Sequence, residues 1–95
     1  MIVNMLEGKV DPDKEDVLVE TFKEALSDLP PAPTHAFLLR SSDPGIWRIV
    51  GVWRSQEEFD RYWSEMAPMK GLQTFRKVGV VPDMVVFDVV AHASN

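Results

Sequence analysis

Ninety-five residues are enough for one domain that buries roughly 60 to 65% of the surface its unfolded chain would expose, and too few for a second. A net charge of −5 with no Lys/Arg cluster argues against nucleic acid as a partner, and the lack of cysteine removes disulfides, thiolate nucleophiles and sulfur metal ligands together. There is no basic-then-apolar leader and no run near the roughly 18 apolar residues of a membrane span, so a soluble cytoplasmic protein with no membrane partner is expected.

Met1 to Leu6 reads as a first strand with Asn4 as its one polar member. Asp11-Pro12 marks a helix start, because Asp can cap and the missing amide of Pro costs nothing at the first helical position. Leu18, Phe22, Ala25, Leu26 and Leu29 then recur at helical spacing, which predicts helix one over Pro12 to Leu29, ended by Pro30-Pro31-Ala32-Pro33. Thr34 to Arg40 is a second strand, and Ser41 to Gly45 is dense in turn formers. Ile46 to Trp53 is a third strand interrupted only by Arg48. Ser55 followed by Glu58 is a capping box that opens helix two, whose apolar face would be Phe59, Tyr62, Trp63 and Met66. After Ala67-Pro68, Met69 to Lys77 predicts a short helix with Leu72 and Phe75 inward. Gly79 and Pro82-Asp83 turn the chain into a fourth strand, Met84 to Ala91.

The order β-α-β-β-α-β predicts an α+β fold, a ferredoxin-like four-stranded antiparallel sheet with the helices on one face. Strands three and four lack the alternation of a sheet with one wet face. Four strands about 18 Å long and about 4.8 Å apart leave roughly 350 Å² uncovered in projection, a size at which apolar patches mark a partner. A second copy, sheet to sheet, is the expected cover, with Val86 or Val89 facing it according to the phase of strand four.

The stretch Val50-Gly-Val-Trp53-Arg-Ser55-Gln-Glu-Glu-Phe59, a strand ending in Trp-x-Ser before an acidic helix start, resembles the antibiotic biosynthesis monooxygenase domains of the dimeric α/β-barrel superfamily. The element order agrees over nearly the whole chain. The resemblance implies a homodimeric barrel and a flat aromatic substrate held between helices and sheet. In quinone-forming relatives that need no cofactor, the strand-end Trp acts with an Asn four residues earlier and a Tyr six later. Trp53 fits, whereas those positions hold Ile49 and Phe59. Haem-degrading relatives use a strand-one Asn, matched by Asn4, a helix-two Trp, whose position falls on Tyr62 beside Trp63, and a later His. No His lies between Ala67 and Pro82.

Asn4 and Trp53 are accordingly the candidate catalytic residues. A buried amide costs about 1 to 3 kcal/mol if unpaired, so Asn4 either donates to a substrate oxygen or makes an internal hydrogen bond. Phe22, Ile49, Phe59, Tyr62 and Trp63 are candidate pocket walls, and core packing explains the aromatic ones nearly as well. Asp88, inside strand four, would pair with Arg40, Arg48 or Arg76, or else serve with His35 as a proton carrier. No metal-ligand spacing, phosphate loop or nucleophile elbow is present, so neither metal nor cofactor is expected. Three readings follow: a small cofactor-independent monooxygenase of an electron-rich phenolic ring, a non-catalytic small-molecule-binding or stress-associated dimeric module, and an isomerase or lyase using Asp88 or His35.

Overall fold

The pairing of the first and third strands organises the computed structural model, which describes residues 1–27, 33–65 and 70–95. Strand β1 (Ile2–Lys9) and strand β3 (Ile46–Trp53) are antiparallel along their whole lengths, from Ile2 opposite Trp53 to Lys9 opposite Ile46. That ladder carries β1 three residues past the expected Leu6. Strand β2 (His35–Arg40) pairs with the outer side of β3, and β4 (Asp83–Asp88) with the outer side of β1, giving the order β2-β3-β1-β4. Every pairing is antiparallel, and the fold is the expected ferredoxin-like one. Strand β4 ends at Asp88, short of Ala91, because β1 offers it partners only as far as Ile2; beyond that, the Val89 amide donates to the Met1 carbonyl at 2.9 Å and Val90 is exposed.

Pro12–Lys14 forms a 3₁₀ turn leading into helix α1 (Glu15–Ser27). Asp11 is extended (φ −63°, ψ 142°), as an N-cap should be, but its side chain makes no capping bond. Helix α2 (Gln56–Glu65) opens on Ser55, whose Oγ accepts from the Glu58 amide at 3.2 Å. The return bond from the Glu58 carboxylate is not made, so half of the capping box forms. Helix α3 (Lys70–Lys77) ends where Val80 N–H bonds Phe75 O and Gly79 N–H bonds Arg76 O, both at 3.0 Å, with Gly79 at φ 76°. That is a Schellman closure, which needs a residue free to adopt a left-handed backbone. The expected end of helix one at Leu29, its stop at Pro30 to Ala32, and the expectations for Met66 to Met69 lie outside the described residues.

On the helix side of the sheet, Leu6, Val10, Leu18, Trp47, Ile49, Phe75 and Val78 form one cluster, and Ile2, Trp53, Phe59 and Tyr62 a second; Leu72 packs against both. Leu18 and Phe75 have no solvent exposure. The other face is open. It carries Val3, Met5, Val50 and Val52 along the two central strands, with Phe37, Leu39, Val85 and Phe87 about half exposed at the edges. Arg48 Nε and Nη2 both reach Glu7 Oε1 at 2.7 Å on this face. Val86 lies opposite Asn4, toward the helices, so the open-face phase of β4 is that of Val85, Phe87 and Val89, and the expectation that Val86 faces away from the helices is corrected. No helix among the described residues is long and apolar enough to cross a membrane.

Candidate active site

The β1–β3 register places Asn4 opposite Gly51, with Trp53 two residues further on and on the same side of the sheet. There the Trp53 indole Nε1–H donates to Asn4 Oδ1 at 2.8 Å in a buried hydrogen bond, Asn4 being 4% exposed. The indole nitrogen can only donate, so the amide must turn its oxygen toward Trp53. The Asn4 NH₂ is left without a protein partner among the described residues.

Both residues line a cavity of about 50 Å³ between the sheet and helices α1 and α3. Leu6, Ile49, Gly51 and Ala36 complete the sheet wall. Phe22 and Ala25 come from α1, Pro33 from the segment before β2, Tyr62 from α2, and Lys70, Gly71 and Thr74 from α3. Its volume holds a few water molecules, less than a two- or three-ring ligand occupies. The Tyr62 ring tilts against Trp53 with centroids 4.9 Å apart. Burial pushes the Tyr62 phenol above its ordinary 10, a backbone hydrogen bond from Lys70 opposing the shift without cancelling it. Thr74 Oγ1 donates to the Lys70 carbonyl at 2.8 Å, which satisfies the hydroxyl proton within the helix.

Five of the candidates meet here: Asn4, Trp53, Phe22, Ile49 and Tyr62. Four do not. Phe59 lies behind the pocket, edge-on to Trp53 at 5.3 Å, in the core cluster. Trp63 is about 100° around α2 from Tyr62; it is 39% exposed and stacks on Phe59 at 6.3 Å. Asp88 ends edge strand β4 in solvent, without an arginine partner among the described residues, since Arg48 is held by Glu7. His35 lies exposed on the open face, stacked on Phe37 at 6.0 Å. Phe59 and Trp63, expected as pocket walls, and Asp88 and His35, expected as proton carriers, thus do not line this cavity.

Gly51, Gly71 and Thr74 were not singled out from sequence. A glycine inside a strand signals close approach of another group, and Gly51 fits that sign: a Cβ there would lie 2.5 Å from Asn4 Oδ1 and 3.0 Å from Trp53 Nε1. No imidazole lines the cavity, and no group of three potential metal-ligating residues occurs among the described residues. The site offers an amide donor, a protonated phenol and aromatic surface, which suit a planar ligand bearing an oxygen.

A family model described as antibiotic biosynthesis monooxygenase matches residues 1–66. Among solved structures, the heme-degrader MhuD from Mycobacterium tuberculosis, with two hemes bound in its active site, is 16% identical at a TM-score of 0.73, covering 99% of this chain and 100% of that one. A structure described as an antibiotic biosynthesis monooxygenase is 15% identical at a TM-score of 0.70, covering 96% and 100%. A Chloroflexus aurantiacus protein assigned to the same class is 17% identical at a TM-score of 0.69, covering 98% and 96%. These likenesses establish a shared fold. No curated protein matches in sequence.

Proposed function

Because the chain belongs to the antibiotic biosynthesis monooxygenase family, we propose that it is a small oxygenase of an electron-rich phenolic or polycyclic aromatic substrate, working without metal, flavin or haem. The observation that carries this reading is the buried Trp53–Asn4 hydrogen bond in the cavity wall, which aims an unpaired amide donor at the space a ligand would enter. A donor set there stabilises negative charge on a substrate oxygen as the ring gives up a proton, and a water-poor apolar cavity protects the resulting carbanion. Dioxygen then adds one atom to the ring carbon, the other leaving as water with two substrate hydrogens, and a quinone results. Seating such a ring requires α1 and α3 to move away from the sheet, since the cavity holds only about 50 Å³.

Haem does not fit the residues present. The cavity has no imidazole, and burial raises the pKa of its one phenol, Tyr62, which opposes the phenolate that would ligate iron. The non-catalytic binding module keeps one specific observation in its favour: Ile49, at the position of an expected polar group, lines the cavity as an apolar wall. In either case a second copy, docked sheet to sheet on the open face, is the proposed partner.

Oxygen uptake with anthrone- and hydroquinone-type substrates, without added flavin or metal, separates the two readings. For an oxygenase, Trp53→Ala raises KM, because a ring wall contributes uniform binding, whereas Asn4→Ala lowers kcat by about 10²-fold, because its donor acts on developing charge. No uptake by the parent protein with any such substrate leaves the binding module. An unchanged kcat in Asn4→Ala removes the role given to that residue.

A further inference from the structure

Gly51 faces the cavity from the middle of β3, directly across the ladder from Asn4. The space a side chain would take there is the space in which the Trp53–Asn4 bond is made, since a Cβ would stand 2.5 Å from Asn4 Oδ1 and 3.0 Å from Trp53 Nε1. Neither group can yield cheaply: Trp53 is packed at 2% exposure between Phe59 and Tyr62, and Asn4 is buried. A methyl group at position 51 therefore pushes the amide oxygen off the indole N–H and into the cavity. Once released, the amide can present either its oxygen or its NH₂ to a ligand.

We infer that Gly51 is a positioning residue of this site: its bare backbone admits the Trp53–Asn4 bond, and that bond commits the cavity-facing half of the Asn4 amide to donating, so that the site selects its ring ligand by an accepting oxygen, carbonyl or phenolate. The inference rests on the ring-binding reading proposed above for what the ligand is. The bond itself is testable without any ligand.

The indole N–H signals of Trp47, Trp53 and Trp63 report three distinct settings. Trp47 Nε1 is buried with no partner, Trp53 Nε1 is buried and bonded, and Trp63 is partly exposed. In ¹H–¹⁵N spectra the Trp53 signal is the one lost in Trp53→Phe. In folded Gly51→Ala it moves upfield and its hydrogen exchange quickens by about tenfold, the size expected when a hydrogen bond of about 1.4 kcal/mol is lost. An unmoved, equally protected Trp53 signal in a folded Gly51→Ala overturns the inference.

Xanthone and xanthene, three-ring probes of closely similar outline that differ in having a carbonyl or a methylene at the central ring, test the selection. The parent prefers xanthone by about tenfold, the worth of one good hydrogen bond. The preference falls toward parity in Gly51→Ala and in Trp53→Phe, which keeps an aromatic wall but loses the N–H and carries the test if Gly51→Ala does not fold. A preference retained in both variants overturns the selection. A parent that binds neither probe removes the ring-binding reading and the selection with it, while the indole signal still decides whether Gly51 holds the bond.

Discussion

Tyr62 is the one tyrosine in the chain, so its titration can be followed without assignment. Its folded pKa is raised above the ordinary 10 by burial, so the folded state holds the phenolic proton more tightly than the unfolded state does. The stability this brings is fully present below pH 10 and is lost as pH rises through the folded value. Absorbance near 295 nm should show phenolate forming at a higher pH in the native protein than in denaturant, and Tyr62→Phe should flatten the alkaline fall in stability. Coincident native and denatured titrations would mean that solvent reaches the phenol and that burial does not hold its proton. Asn4 shows the limit of reading residues singly. Its interruption of an apolar strand was visible in sequence, and so were its two alternatives, a ligand donor or an internal bond. The structure settles only the oxygen, which accepts from Trp53, a partner 49 residues away that strand register brings near; the ligand-donor role of the NH₂ stays a proposal.

At the scale of elements, the turn and cap chemistry was legible because it is local. β3 runs from Ile46 to Trp53 as the pattern predicts, and Ser55 opens α2. Less was legible where distant segments decide the outcome. The ends of β1 and β4 are set by which residues face each other, and the apolar run of β4 conceals its phase because both of its faces carry valines. Helical spacing grouped Trp63 with Tyr62, yet adjacent residues lie about 100° apart, and only one of the two can face the cavity. Gly79 is a local sign with a measurable consequence. At φ 76° it closes α3, and Gly79→Ala places a Cβ in the left-handed region at a cost of about 1 to 2 kcal/mol. For a chain of this length that lowers Tm by several degrees, measured at one fixed protein concentration so that association does not enter the comparison. An unchanged melting curve would show that the α3 terminus contributes little to global stability.

The two faces of the whole molecule differ: the helix side holds a small cavity and the open side a broad apolar surface that carries the Glu7–Arg48 ion pair. Exposed, the Glu7–Arg48 pair is worth about 0 to 1 kcal/mol; covered by a second sheet, it becomes a paired charge whose disruption costs about 3 to 5 kcal/mol. Phe87, 48% exposed on that face, is the sharper probe. Phe87→Lys puts an unpaired charge into the proposed sheet-to-sheet contact and should weaken the dimer by about 100-fold or more in sedimentation at low micromolar concentration. A parent protein that sediments as a folded monomer would dispose of the dimer.

The same separation of faces bears on haem. A shared fold at 16% identity with a heme-degrader invites the question whether this chain also opens the porphyrin ring. Its two histidines are misplaced for iron. His35 is exposed on the open face, on the far side of the sheet from the cavity, and His92 lies exposed beyond β4. Without an axial nitrogen the iron has no fixed seat, and Tyr62 ligation would require ionising a phenol whose proton burial retains. Haemin mixed with the protein and a reductant should therefore lose its absorption band no faster than in a protein-free control, and Tyr62→Phe should change nothing. Decay above the control, abolished in Tyr62→Phe, would show that the phenolate ligates iron after all and would overturn the haem-free reading.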